Sequence, residues 1–199
     1  MNVIPHELIV IIGAILAISL GCTWAIRSDW HTPDGRVDWW EVTESFVGIF
    51  FLLCMLVSSA LQVLVRYFVS DDVDMPWTEE FARLAMIWAA FWGAAALQRR
   101  DDHIRMSAIY DLLPAPGQKA VRIMGDLVVL AILVPIVWLG WETARSLDIM
   151  HSISLGFPLS VFAYPVPISG ALMMFHTLFL MVGRFRGEEP PPAPLMQDV

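Results

Sequence analysis

Hydrophobic positions gather in five long runs along this chain, roughly Leu8 to Ile26, Ser45 to Phe68, Trp77 to Gln98, Val121 to Thr143 and Leu159 to Val182. Each is close to the ~20 residues that carry an α-helix across the hydrocarbon core of a bilayer. The stretch from Met75 to Ile104 is the most instructive, because it joins an acidic and aromatic start, an apolar span and a basic end. From Phe81 to Leu97 the only polar side chain is Arg83, and the run closes on Gln98, Arg99 and Arg100. A soluble helix shows a polar face; this one shows almost none, which predicts a membrane crossing.

The segments between the runs add detail. From Asp101 to Lys119 the chain is too polar to cross, yet Ile104, Met106, Ile109, Tyr110, Leu112 and Leu113 recur among polar residues. That pattern predicts a short amphipathic helix lying in the interface, ended by Pro114, Pro116 and Gly117. The tail GEEPPPAPLMQDV, from Gly187, is proline-rich and has no periodic apolar face, so the sequence predicts a disordered tail. Before the first run, MNVIPHE has no Lys or Arg and ends in an acidic residue, which favours a retained helix over a signal peptide.

Composition agrees with the pattern. Of 199 residues, 57% are hydrophobic and 16% charged, and the mean hydropathy is +0.63, values that predict an all-α polytopic integral membrane protein. The net charge of -8 says little about orientation, which follows Lys and Arg. With the Arg99 to Arg122 loop in the cytoplasm, nine of these residues lie inside and Arg66, Arg83 and Arg145 outside. This places the N-terminus outside, the C-terminus inside, and the loops Val69 to Pro76 and Ala144 to Pro158 on the outer face. Nothing in the charge pattern supports nucleic-acid binding. Cys22 and Cys54 lie in apolar runs without CxxC spacing and read as packing residues.

Candidate polar sites are few. Glu79, Glu80 and Arg83 stand at the start of the third run with Trp77 beside them, spaced so that Arg83 reaches either carboxylate. They read either as a capped, interface-anchored helix start with Trp77 in the aromatic belt, or as a polar cluster gripping Arg66 or a partner subunit. His103, with Asp101, Asp102 and Arg105, lies just past the inner membrane edge and reads as an interfacial cluster, since metal binding needs a closer convergent set. Asp126 and Glu142 lie toward opposite ends of the fourth run, able to reach headgroups or a neighbouring helix. Pro135 is expected to bend that run, and Trp138 and Trp141 to mark its outer interface. His176 alone among the histidines lies in an apolar span, which suits a helix contact. No nucleophile elbow, HExxH or phosphate loop occurs, and no inverted repeat or midplane carboxylate marks a transport site, so neither enzyme chemistry nor a cofactor or metal site is expected.

Leu64-Val65-Arg66-Tyr67-Phe68 closing one helix, Trp77-Thr78-Glu79-Glu80-Phe81-Ala82-Arg83 opening the next, Gly93-Ala94-Ala95-Ala96 within it, and His103-Ile104 ahead of Leu112-Leu113-Pro114 together carry a family resemblance. From about Ser45 to Arg186 the chain resembles the small membrane subunit, the DctQ-like component, of a tripartite ATP-independent periplasmic (TRAP) transporter. The resemblance implies a four-helix core in a bacterial inner membrane. It also implies a large membrane subunit holding the substrate and sodium sites, and a periplasmic binding protein delivering the solute. On this reading residues 1–44 form an additional N-terminal transmembrane helix and linker, 45–186 the family domain and 187–199 the tail. The expected role is a non-catalytic subunit of a sodium-coupled transporter for small organic acids, with Arg66, Trp77, Glu79, Glu80, Arg83 and His103 as structural or subunit contacts. The alternative is a membrane anchor of a redox complex, in which His176 and a partner histidine hold haem.

Overall fold

The computed structural model describes residues 6–26, 38–68, 76–99 and 115–186. Every regular element among them is helical: α1 His6–Ile26, α2 Trp39–Phe68, α3 Pro76–Arg99, α4 Ala115–Ser146, α5 Ser160–Ala163 and α6 Pro165–Arg186, with one 3-10 turn at Leu147–Ile149. Four stretches are long and apolar enough to cross a membrane, namely Trp39–Phe68, Pro76–Arg99, Gly117–Ile149 and Ser160–Arg186. The apolar part of α1, Ile9–Ala25, is shorter. The expected interfacial helix, its His103, and the proline-rich tail lie outside the described residues.

Local chemistry explains where the helices begin. Asp38 caps α2: its carboxylate accepts the Trp40 and Glu41 amides at 3.0 and 3.2 Å, satisfying two donors that a helix start leaves open. This carries α2 six residues upstream of the expected Ser45. Pro76 and Pro165 open α3 and α6, where a fixed φ and a missing N–H cost the helix nothing. The last expected run, from Leu159, stands as one long apolar stretch, Ser160–Arg186, whose backbone stays helical through Tyr164, the residue before Pro165. α4 continues through Pro135 as one 32-residue helix.

The described residues gather into two compact units. One holds those of Met1–Trp92 and Thr143–Pro165, the other those of Gly93–Glu142 and Val166–Val199. In the first, α1 packs along α2, and Ile15, Ser19 and Thr23, four residues apart, form the buried stripe of α1. Its core joins Ile15, Cys54, Trp77, Phe81, Leu84, Ala85 and Leu155. Phe51 stacks on Trp88 with ring centroids 5.3 Å apart, and the Trp88 indole donates to the Val161 carbonyl at 3.1 Å.

In the second unit α4 and α6 approach closely at two glycines. A Cβ on Gly140 would stand 3.3 Å from Pro167, and one on Gly170 would stand 2.9 Å from Val137. Hydroxylated residues make up much of the fully enclosed set, Ser19, Ser58, Thr78, Ser160, Ser169 and Thr177 beside Ile15, Cys54 and Pro165, while Val10, Leu56, Leu127 and Phe179 face outward. That mixture is what a lipid solvent selects. Lipid tails reward no burial of Leu, so small side chains that let backbones approach closely are free to go inside.

Candidate functional site

The N-terminal turns of α3 send two adjacent carboxylates in different directions, because neighbouring helix positions lie about 100° apart around the axis. Glu79 pairs with Arg83 one turn on at 2.8 Å, with both side chains more than half exposed. Glu80 instead reaches the segment after α4. Its Oε2 accepts the Ser152 hydroxyl and the amides of Ser154 and Leu155 at 3.2 and 3.1 Å. Three donors from one turn thus converge on one carboxylate oxygen.

That turn is built to present them. Gly156 adopts a positive φ of 68°, a conformation that costs glycine little, and its amide donates to the Ser152 carbonyl at 3.2 Å. The Ser152 amide donates to the Phe157 carbonyl, and the Leu159 amide to the Met150 carbonyl, each at 2.8 Å. His151 and Pro158 face each other as an isolated antiparallel bridge. Below the turn, the Ser160 hydroxyl donates to Asp148 at 2.8 Å, and Leu155 enters the core beside Trp77 and Phe81. A carboxylate surrounded by donors in this way acts as an anchor.

Of the residues singled out in the sequence, Glu79 and Arg83 come together as their spacing implies. Trp77 is buried in the core, 9% exposed. Arg66 is exposed at the end of α2, and the recorded partner of Arg83 is Glu79, that of Glu80 the turn. His103 lies outside the described residues.

A second set of polar contacts occupies the other unit. Gln98 Nε2 donates to the Thr177 hydroxyl at 2.8 Å, and His176 Nδ1 lies 3.0 Å from the Ala95 carbonyl, tying α6 to α3. Arg184 forms a buried ion pair with Asp126, tying α6 to α4. His176 is 3% exposed and serves as a contact between helices. Among the described residues no three His, Cys, Asp or Glu side chains cluster as a metal site would require.

Two residues of this frame escaped the sequence reading. Glu44 is buried near the start of α2. The Trp40 indole donates to its carboxylate at 3.0 Å and the Trp92 indole to its carbonyl at 3.1 Å. The i,i+4 spacing of Trp40 and Glu44 was its only local signal. Ser152 gave a fainter one, the Ser-Ile-Ser-Leu-Gly string that reads as a turn.

Comparison with known proteins converges on one family. A family described as "Tripartite ATP-independent periplasmic transporters, DctQ component" matches residues 55–187, a range that holds α3, the Glu80 turn and both partners of the Asp126–Arg184 pair. The sialic acid TRAP transporter small permease protein SiaQ of Vibrio cholerae is 25% identical over 135 residues, 68% of this chain and 77% of the relative. The ectoine TRAP transporter small permease protein TeaB of Halomonas elongata is 26% identical over 141 residues, 70% of this chain and 72% of the relative. The isethionate TRAP transporter permease protein DctMQ of Oleidesulfovibrio alaskensis is 27% identical over 118 residues, 55% of this chain and 18% of that longer protein.

Proposed function

The chain belongs to the DctQ component family of tripartite ATP-independent periplasmic (TRAP) transporters, as a small permease subunit and not an enzyme, and from that premise we propose that it braces a large permease subunit in a bacterial inner membrane. The transporter is sodium-coupled and takes up small organic acids delivered by a periplasmic binding protein, and the outer end of this chain forms part of that protein's docking surface. Arg66, Glu79 and Arg83, exposed at the ends of α2 and α3, are the polar contacts offered to those partners. Glu80 and Trp77 fix the shape that presents them.

One observation carries the reading. Two polar groups near opposite ends of α3 are committed to the chain's own frame, Glu80 to the 152–155 turn and Gln98 to Thr177. A transport pathway needs polar groups that are open to solute and ion. Here they hold helices together, which suits a static brace with the moving chemistry in a partner. The DctMQ relative supports the same association, since its small-subunit-like part is a minor share of a much longer chain. Two of the solutes in the relatives' names, sialic acid and isethionate, are acids, which supports the substrate class.

In this reading the end of α3 at Arg99 faces the cytoplasm. Arg184, counted among the inner charges, is held in an ion pair, and the remaining eight still outnumber the three outside. Residues 101–114 supply the cytoplasmic footing. Affinity purification of the tagged chain from its native membranes in mild detergent tests the association. The large permease subunit is expected to co-elute in stoichiometric amount; a chain that elutes alone, in a strain where transport is intact, overturns the proposal.

A further inference from the structure

The turn fastened to Glu80 carries three apolar side chains that the frame does not use. Ile153 is 98% exposed, Ile149 84% and Met150 55%, although Ser152, Ser154 and Leu155 around Ile153 are all bonded to Glu80. From Ile149 to Leu159 the only ionisable side chain is His151. Asp148, one residue before, turns its carboxylate to the Ser160 hydroxyl. A rigid, nearly uncharged knob is therefore held outward by hydrogen bonds that leave it little freedom to fold back.

Its depth can be read along α3. Glu80 and Arg99 belong to one unbroken helix, and at 1.5 Å per residue they stand about 28 Å apart along its axis. The hydrocarbon core is ~30 Å thick. With Arg99 at one edge of the core, Glu80 is at the other, and the amides of Ser154 and Leu155 sit 3.2 and 3.1 Å from its carboxylate. Leu155 continues into the core of the unit, so Ile153 stands at the level where acyl chains meet headgroups. That layer accepts apolar side chains on a backbone whose polar groups remain hydrated.

We infer that Ile149, Met150 and Ile153 form an interfacial insert that seats in the lipid of the leaflet at the N-terminal end of α3, with the Glu80 clamp setting its depth. The surface takes a lipid boundary, as its depth and near-absence of charge suit, and α2 also exposes Val63, Leu64, Tyr67 and Phe68 near its C-terminal end. This goes beyond the bracing role and stands whether or not a large subunit is braced. The insert steadies the tilt of the turn in the membrane plane, in the way that two anchors fix a helix that one would leave free to rock.

The test places Ile153→Cys in the full chain with Cys22 and Cys54 replaced by alanine, purified with its accompanying subunits and labelled with an environment-sensitive fluorophore. The labelled protein goes into phosphatidylcholine vesicles with or without lipid carrying a doxyl group high on the acyl chain. Expected are a blue-shifted emission and loss of intensity with the doxyl lipid, with little loss on adding iodide. The same label at Ile149→Cys is expected to respond alike, which covers a misfolded first variant. Adding Glu80→Ala is expected to weaken the doxyl quenching and strengthen that by iodide. Dominant iodide quenching in the parent places the knob in water and overturns the inference; protection from both quenchers overturns it in favour of a covering subunit or second copy.

Discussion

Glu80 and Leu155 meet across 75 residues of sequence, the Leu155 amide 3.1 Å from the Glu80 carboxylate. This contact joins the start of α3 to the turn after α4, and it separates Glu80 from its neighbour Glu79, whose pairing with Arg83 is local and exposed.

The two carboxylates should therefore answer differently to the same substitution. Glu80→Ala leaves the Ser152 hydroxyl and the Ser154 amide without their acceptor, and the Leu155 amide with only the Ser152 Oγ at 3.2 Å, an expected loss of about 1–3 kcal/mol. Glu79→Ala removes only an exposed i,i+4 pair worth about 0.3–0.5 kcal/mol. Thermal denaturation in detergent, followed by size exclusion, should show a clear drop for Glu80→Ala alone, along with faster proteolysis within 150–159.

Asp126 and Arg184 make a sharper case, since both side chains are about nine-tenths buried. Arg184→Ala strands the Asp126 carboxylate, with an expected cost of about 3–5 kcal/mol. Replacing both, as Asp126→Leu with Arg184→Met, should recover most of that loss. A double variant no more stable than the single one would show that the pair does something packing cannot replace.

The α4–α6 contact predicts opposite signs at two glycines. Gly170→Ala sets a Cβ 2.9 Å from Val137 and should cost about 1–3 kcal/mol by overpacking. Gly48→Ala, in α2 with nothing within 4 Å of the added carbon, should gain about 0.5–1 kcal/mol from lower backbone entropy in the unfolded chain. Melting temperatures of the two variants in one detergent settle both signs.

At the head of α2, Asp38→Ala removes the acceptor for the Trp40 and Glu41 amides. The expected cost is about 1 kcal/mol, confined to the first turn. Asp38→Asn should retain most of the cap, which amide exchange at Trp40 and Glu41 can report.

The four long spans were legible because lipid imposes a simple rule, a run of some twenty apolar residues, and α3 falls within a residue of its expected bounds at each end, while α4 begins six residues earlier than expected, at Ala115. The start of α2 was not, because Asp38 and the Trp39–Trp40 pair look like linker until the cap is seen. The Glu79–Arg83 pair was legible for a different reason: helix spacing alone brings them together. What Glu80 binds could not be read, since its donors lie 72 to 75 residues away and two of them are backbone amides, which carry no residue signature. Arg184 looked like a loop charge for the same reason, as its neutralising partner sits on another helix.

The central claim, that this chain is a brace whose transport chemistry resides in a partner, is tested most directly by solute uptake into proteoliposomes. Vesicles would hold this chain alone, the large subunit alone, or both, with the periplasmic binding protein, solute and a sodium gradient outside. Sodium-dependent uptake is predicted only where both subunits are present, and at the background level with this chain alone. Uptake above background by this chain alone would contradict the account.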